Sequence, residues 1–203
     1  MTDVYTNYND LAIHETQGTD YQIRIQKELS PTVVLAIHGG GIEGGTSELA
    51  TALAGNQDSY YLAEGLKPSG NEVLHITSTH FDEPQALHLV NQAKYVISFH
   101  GYQDSTNKHT KIGGKDLELR KKIYKALITN GFSAEIIQEP SKLKGFESNN
   151  ITNRTKTGKG VQLEISTAQH NAFFEKNTQT DRIKTQNKEF WRYVKAVKST
   201  LPK

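Results

Sequence analysis

The 203-residue chain has no cysteine, which removes disulfides, thiolate-held metals and a cysteine nucleophile and leaves any transition metal to nitrogen and oxygen ligands. The redox compartment stays open, because either environment tolerates such a chain. No apolar run approaches the length needed to span a bilayer, and Met1-Thr2-Asp3-Val4-Tyr5 has neither the basic nor the apolar segment of an export signal. The expectation is synthesis as a soluble cytoplasmic protein without a membrane partner, reaching any external substrate by cell lysis. An excess of one charge is also lacking. Lys and Arg number 24 against 22 Asp and Glu, and the net charge of +2 falls short of the clustered basicity of a nucleic-acid binder. With 16 glycines, 5 prolines, 35% hydrophobic and 23% charged residues the composition is globular, and the length suits one compact domain over 1–203, expected as a monomer.

Alternating Tyr21, Ile23 and Ile25 predict a half-buried strand, and Val33-Val34-Leu35-Ala36-Ile37 predicts a strand buried on both faces, with His38 at its end. A helix is expected from Thr46 through Leu53, capped by hydroxyls. Further strands are expected at 60–62, 73–76, 95–99, 134–137 and 161–165, and short helical periodicity appears around Leu87, Leu89, Val90 and Ala93. A longer helix is expected over 116–130, closed by Gly131. Phe190, Trp191, Val194, Val197 and Leu201 mark a C-terminal amphipathic helix. Residues 138–160 are polar with few apolar anchors, a length without regular structure that usually serves function. Strands alternating with helices indicate an α/β fold: an open mixed sheet flanked by helices.

His38-Gly39-Gly40-Gly41-Ile42-Glu43 sets a histidine and a carboxylate around three glycines, whose backbone freedom allows both to meet one cation. An anion-binding glycine loop is the alternative. His100 in Ser98-Phe99-His100-Gly101-Tyr102 is a second strand-terminal histidine, able to complete a three-residue catalytic zinc set. His75 and His80 are intermediate candidates, and residues 77–84 can support the ligands or touch substrate. Glu164 interrupts a buried-looking strand, where a carboxylate is costly unless paired or near a metal; the alternative is a solvent-facing position by alternation. Asn153-Arg154 offers a planar guanidinium for a substrate carboxylate beside an orienting amide, or simply a surface arginine.

Several blocks in order then identify a resemblance: 38–43, 66–70, 75–84, 98–102, Asn153-Arg154 and 158–166. Together they resemble the phage-type poly-γ-glutamate hydrolases and their bacterial relatives, from about Tyr5 to the C-terminal helix. The resemblance implies a zinc-carboxypeptidase-like α/β fold, one zinc ion per chain and cleavage of γ-glutamyl amide bonds in poly-γ-glutamate. It assigns the metal to His38, Glu43 and His100 and the general base to Glu164. Arg154, Asn153, His80, Lys159 and Tyr102 are the expected substrate contacts. Zinc carboxypeptidases space the first histidine and glutamate more closely than the four intervening residues here, and their Asn-Arg pair precedes the second histidine instead of following it. A peptidoglycan-directed zinc amidase and a non-catalytic polyanion-binding module are the alternatives.

Overall fold

The structure, a computed structural model, describes residues 3–138, 140–141 and 143–202. Its strands are β1 (Tyr21–Gln26), β2 (Thr32–Gly40), β3 (Ser59–Gly65), β4 (Tyr95–Tyr102), β5 (Thr110–Gly113), β6 (Ala134–Ile136) and β7 (Val161–Ser166). They form one mixed sheet in the order β1-β3-β2-β4-β7-β5-β6. Strands β3, β2, β4 and β7 run parallel, while β1 and β5 enter antiparallel against β3 and β7. The helices are α1 (Tyr8–His14), α2 (Thr46–Ala54), α3 (Pro84–Gln92), α4 (Leu117–Thr129), α5 (Thr167–Ala172) and α6 (Lys188–Lys198). This is the expected mixed α/β sheet with flanking helices.

Alternation along the strands divides the core. Val34, Ala36, Ile97, Phe99, Leu163 and Ile165 pack on one face with α2, α4 and α6. Val33, Leu35, Ile37 and Val96 pack on the other with α3 and Leu11 of α1. Among the described residues this second cluster takes nothing from β7 or β5. There the same face carries Ser98 and His100 of β4, Gln162 and Glu164 of β7, and Lys111 of β5. The register pairs His100 with Glu164, Glu164 with Lys111 and Lys111 with Glu135. Since side chains in register share a face, four ionisable residues form one row across four strands.

The differences from sequence expectation have local causes. Residues 73–76 form no strand: a 3-10 turn spans Asn71–Leu74, and Leu74 and Ile76 are apolar because they fill the second cluster. Helix α2 is not capped by a hydroxyl. Its N-cap is Gly45 at φ 106°, and Thr46 Oγ1 instead donates to the carbonyls of His38 and Glu43. α1, β5 and α5 are too short to show a period. The polar stretch holds only the 3-10 turn Ile151–Asn153 among its described residues, with Glu139 and Lys142 outside them. Trp191 is 51% exposed on α6, whereas Phe190 and Tyr193 are fully buried among Phe132, Phe173 and Phe174. No helix among the described residues is long and apolar enough to cross a membrane.

The phase of α6 generates a test. Phe190→Ala should destabilise the fold by about 3–5 kcal/mol, the usual range for emptying a large aromatic site, while Trp191→Ala should cost less than ~1 kcal/mol. Urea denaturation of both variants checks this, and equal losses would contradict the assigned helix face.

Candidate active site

β2 delivers His38 to the carboxyl end of the sheet, where β-sheet ligands gather. Its pairing with β3 slips between Ala36 and Gly39, and the imidazole turns to the side of Ile76, whose carbonyl lies 2.9 Å from Nε2. A carbonyl only accepts, so in the neutral ring Nε2 carries the proton and Nδ1 offers a lone pair. The chain then folds back, Glu43 N donating to His38 O at 2.9 Å, and places Glu43 Oε1 3.1 Å from His38 Nδ1. Gly45 makes the following turn possible: besides its positive φ, a Cβ there would stand 2.5 Å from His170 Nδ1. Arg182, buried behind the loop, donates to Gly40 O at 2.6 Å and reaches Glu48 Oε1 at 3.4 Å.

β4 supplies the second histidine. His100 Nε2 meets Ser98 Oγ at 2.8 Å, and its Nδ1 faces His38 Nδ1 at 3.2 Å and Glu43 Oε2 at 3.7 Å. The amide of Gly101 donates to the same Glu43 Oε2 at 2.9 Å. His38 and His100 are only 2% and 3% exposed. His75 stacks on His38 with centroids 4.0 Å apart, its Nδ1 2.8 Å from Asp3 Oδ1 and its Nε2 3.9 Å from Glu43 Oε1. Ligand atoms of His38, Glu43 and His75 all lie within 4.8 Å of one another.

Electrostatics follow from this packing. Burial opposes a charge on His38, but the Glu43 carboxylate outweighs it and raises the imidazole above its ordinary range. Burial pushes Glu43 up, yet His38, His100 and the Gly101 amide bring it down to about 2. Burial, reinforced by His38 and His75, lowers His100 to about 3. A proton on His38 Nδ1, between His100 Nδ1 and the Glu43 carboxylate, balances charge at this point in the metal-free protein; a divalent cation would balance it in the same place, and an all-nitrogen and oxygen set without thiolate fits zinc.

Glu164 is 4% exposed on β7, whose six residues are all buried. Its Oε1 accepts from Gln162 Nε2 at 2.6 Å, and Gln162 Oε1 in turn accepts from Asn150 Nδ2 at 2.9 Å. Oε2 has no hydrogen-bond partner among the described residues. Burial first, and the Glu43 carboxylate second, raise the Glu164 carboxyl to about 8 against the opposing pull of Gln162, His38 and Lys111.

The other expected contacts fare differently. Tyr102 shares the site face at the end of β4, with Lys111 Nζ 4.7 Å from its ring centroid. His80 is exposed at the rim, its Nδ1 3.7 Å from Asp3 Oδ2. Arg154 is half-buried just after the Ile151–Asn153 turn, which packs on α3, β4 and β7; its guanidinium has no hydrogen bond or ion pair among the described residues. Asn153 departs from its expected role. Its amide donates to Gly145 O and Glu147 O, and its carbonyl accepts from Lys115 N and Gly160 N, so its capacity is spent on holding the loop. Lys159 is also displaced. It precedes β7, roughly 15 Å along the extended chain from Glu164, and pairs with Asp116 at 3.7 Å at the opposite end of the sheet.

Sequence reasoning passed over Lys111, Ser98, Gln162 and the Asp3 partner of His75. Polar residues two apart in apolar strands, Ser98 with His100 and Gln162 with Glu164, were the available signal. His170 is likewise buried beside Gly45 and Gly101, both ring nitrogens lacking partners among the described residues, and burial lowers it to about 4.

The sequence matches the poly-γ-glutamate hydrolase family over residues 5–196. It is 45% identical over 202 residues to the UPF0714 protein YmaC of Bacillus subtilis (strain 168), covering 99% of this chain and 85% of that one. Its structure is similar to a bacteriophage poly-γ-glutamate hydrolase, with TM-score 0.93, 41% identity and coverage of 98% and 96% of the two chains. It is equally similar to zinc-free apo YndL, with TM-score 0.94, 41% identity and coverage of 98% and 97%. The chain belongs to the poly-γ-glutamate hydrolase family.

Proposed function

We propose that this protein is a zinc-dependent hydrolase of the γ-glutamyl amide bonds of poly-γ-glutamate, with one zinc held by His38, Glu43 and His100. The observation that carries the reading is the convergence of two imidazole Nδ1 atoms and the Glu43 carboxylate beside the buried Glu164. When bound, zinc supplies Lewis acidity, polarising a carbonyl and lowering the pKa of water toward ~7. The chain's residues do the rest. Ile76 O and Ser98 Oγ fix the orientations of His38 and His100, and the Gly101 amide fixes that of Glu43.

Glu164 is the general base. Gln162 occupies Oε1, leaving Oε2 to take the proton of the attacking water and return it to the leaving amine. Arg154 has no partner among the described residues, but Asn153 and Thr155 on either side of it are bonded to Gly160 and Lys159 at the amino end of β7, so any polymer carboxylate it meets is remote from the bond beside Glu164. Tyr102 and His80 line the approach. The family match favours the polymer over peptidoglycan as substrate, and Glu164 favours turnover over simple binding.

Glu164→Gln keeps the shape and the contact with Gln162 while removing the proton acceptor. Its kcat on poly-γ-glutamate should fall by at least ~10²-fold with zinc content unchanged. Near-normal turnover by zinc-loaded variant protein would remove Glu164 from the chemistry.

A second expectation concerns the metal-free protein. Glu164 titrates at about 8 when folded and near ~4.3 when unfolded. Between those values the folded state holds a proton that the unfolded state has released, so stability declines as pH rises and levels off above about 8. Metal-free Glu164→Gln escapes this loss. Its thermal midpoint should exceed wild type by more at pH 9 than at pH 5; an equal difference at both would contradict the assigned burial of charge.

A further inference from the structure

Lys111 was passed over in the sequence because β5 is too short to show a pattern, yet the sheet places it one strand beyond Glu164. The antiparallel pairing sets its Cα opposite that of Glu164, and the parallel pairing on the other side of β7 sets His100 opposite the same residue. Neighbouring strands are ~4.8 Å apart, so the Lys111 strand lies about 10 Å from the strand that carries His100. A long flexible side chain spans much of that interval. The ammonium stands over the Tyr102 ring at 4.7 Å, on the edge of an open groove of about 600 Å³ lined by Tyr102, Asp104, Lys108, His109 and Lys111.

Its existing interactions leave it available. The nearest carboxylate, Glu135 Oε1, is 4.0 Å away on a side chain 56% exposed, a contact of small worth. The Tyr102 face holds a cation without neutralising it. An ammonium so placed suits a substrate anion better than a structural one. In a γ-linked glutamate chain the α-carbon borne on the scissile amide nitrogen carries a free carboxylate, so every cleavable bond has an anion immediately beside it.

We propose that Lys111, backed by Tyr102, is the specificity residue that engages this α-carboxylate and so selects γ-linked acidic chains over amides lacking a neighbouring charge. The inference rests on the hydrolase reading above. Bound substrate would draw the ammonium along the row, away from Glu135 and toward Glu164 and His100. The same contact distinguishes an acid from its ester, since the ester keeps the shape but loses the charge.

The test compares wild type, Lys111→Met and Lys111→Arg on a γ-glutamyl oligomer and on the same oligomer with its α-carboxyls methyl-esterified. Turnover is followed together with equilibrium binding of each oligomer, labelled, by fluorescence anisotropy, and thermal unfolding monitors the fold. Lys111→Met should lose about 10–100-fold in kcat/KM and in affinity for the free acid, as expected for one charge-assisted hydrogen bond. Its affinity for the ester should match wild type, any loss of turnover that passes through Glu164 being common to both substrates, and Lys111→Arg should retain most of the preference for the acid. Wild-type behaviour of Lys111→Met on the acid overturns the proposal. Equal losses on acid and ester overturn it as well, and assign Lys111 to the charge balance of Glu164. Absence of turnover in wild type would instead sink the hydrolase reading, with the binding comparison still deciding the role of Lys111.

Discussion

The 3.2 Å approach of His38 Nδ1 to His100 Nδ1, beside the Glu43 carboxylate, is the constraint around which the molecule is arranged. Nitrogen atoms at that distance need a positive charge between them, which the proton held on His38 by Glu43 supplies in the metal-free protein and a metal ion would supply in its place. The protein holds them there by fixing the far side of each ring, with the Ile76 carbonyl for one and the Ser98 hydroxyl for the other. Reaching this geometry requires the slipped register of β2 and the turn at Gly45. It also requires the Arg182 guanidinium against Gly40 O, which ties the distant segment after α5 to the loop that carries the site.

The sheet accounts for the rest of the centre. On the face shared with α3 the apolar cluster stops at β4, and β7 and β5 present polar side chains where packing would otherwise call for aliphatic ones. The row His100, Glu164, Lys111, Glu135 alternates base, acid, base and acid across the strands. Burying Glu164 in that row is unfavourable for its charged form, and this same penalty brings its proton affinity near neutrality. In the metal-free protein the buried carboxylate thus costs stability, and Gln162 and Asn150 keep it oriented.

Much of this was legible in the sequence because buried parallel strands and long amphipathic helices leave strong periodic signals. β2, β4, β7, α4 and α6 were each foreseeable from apolar spacing, and the histidines ending two of those strands pointed to the crevice. The face of Trp191 was not, since Phe190 and Trp191 are adjacent and only packing chooses between them. Lys159 and Asn153 looked like substrate contacts through their polar setting. Strand direction carries Lys159 to the far end of the sheet, and backbone groups saturate Asn153. Lys111 and the bond between Asp3 and His75 depend on pairings between distant segments, which no local pattern encodes.

The proposed activity depends on a metal held by His38, Glu43 and His100 for cleavage of a γ-linked polyanion. Its most direct test is incubation of purified poly-γ-glutamate with the protein as isolated, after chelation, and after return of zinc, with product sizing and metal analysis on the same samples. The polymer should shorten, the activity should disappear on chelation, and it should recover as zinc approaches one equivalent per chain. Shortening that persists in protein with well under one equivalent of zinc, or none from fully zinc-loaded protein, would contradict this reading.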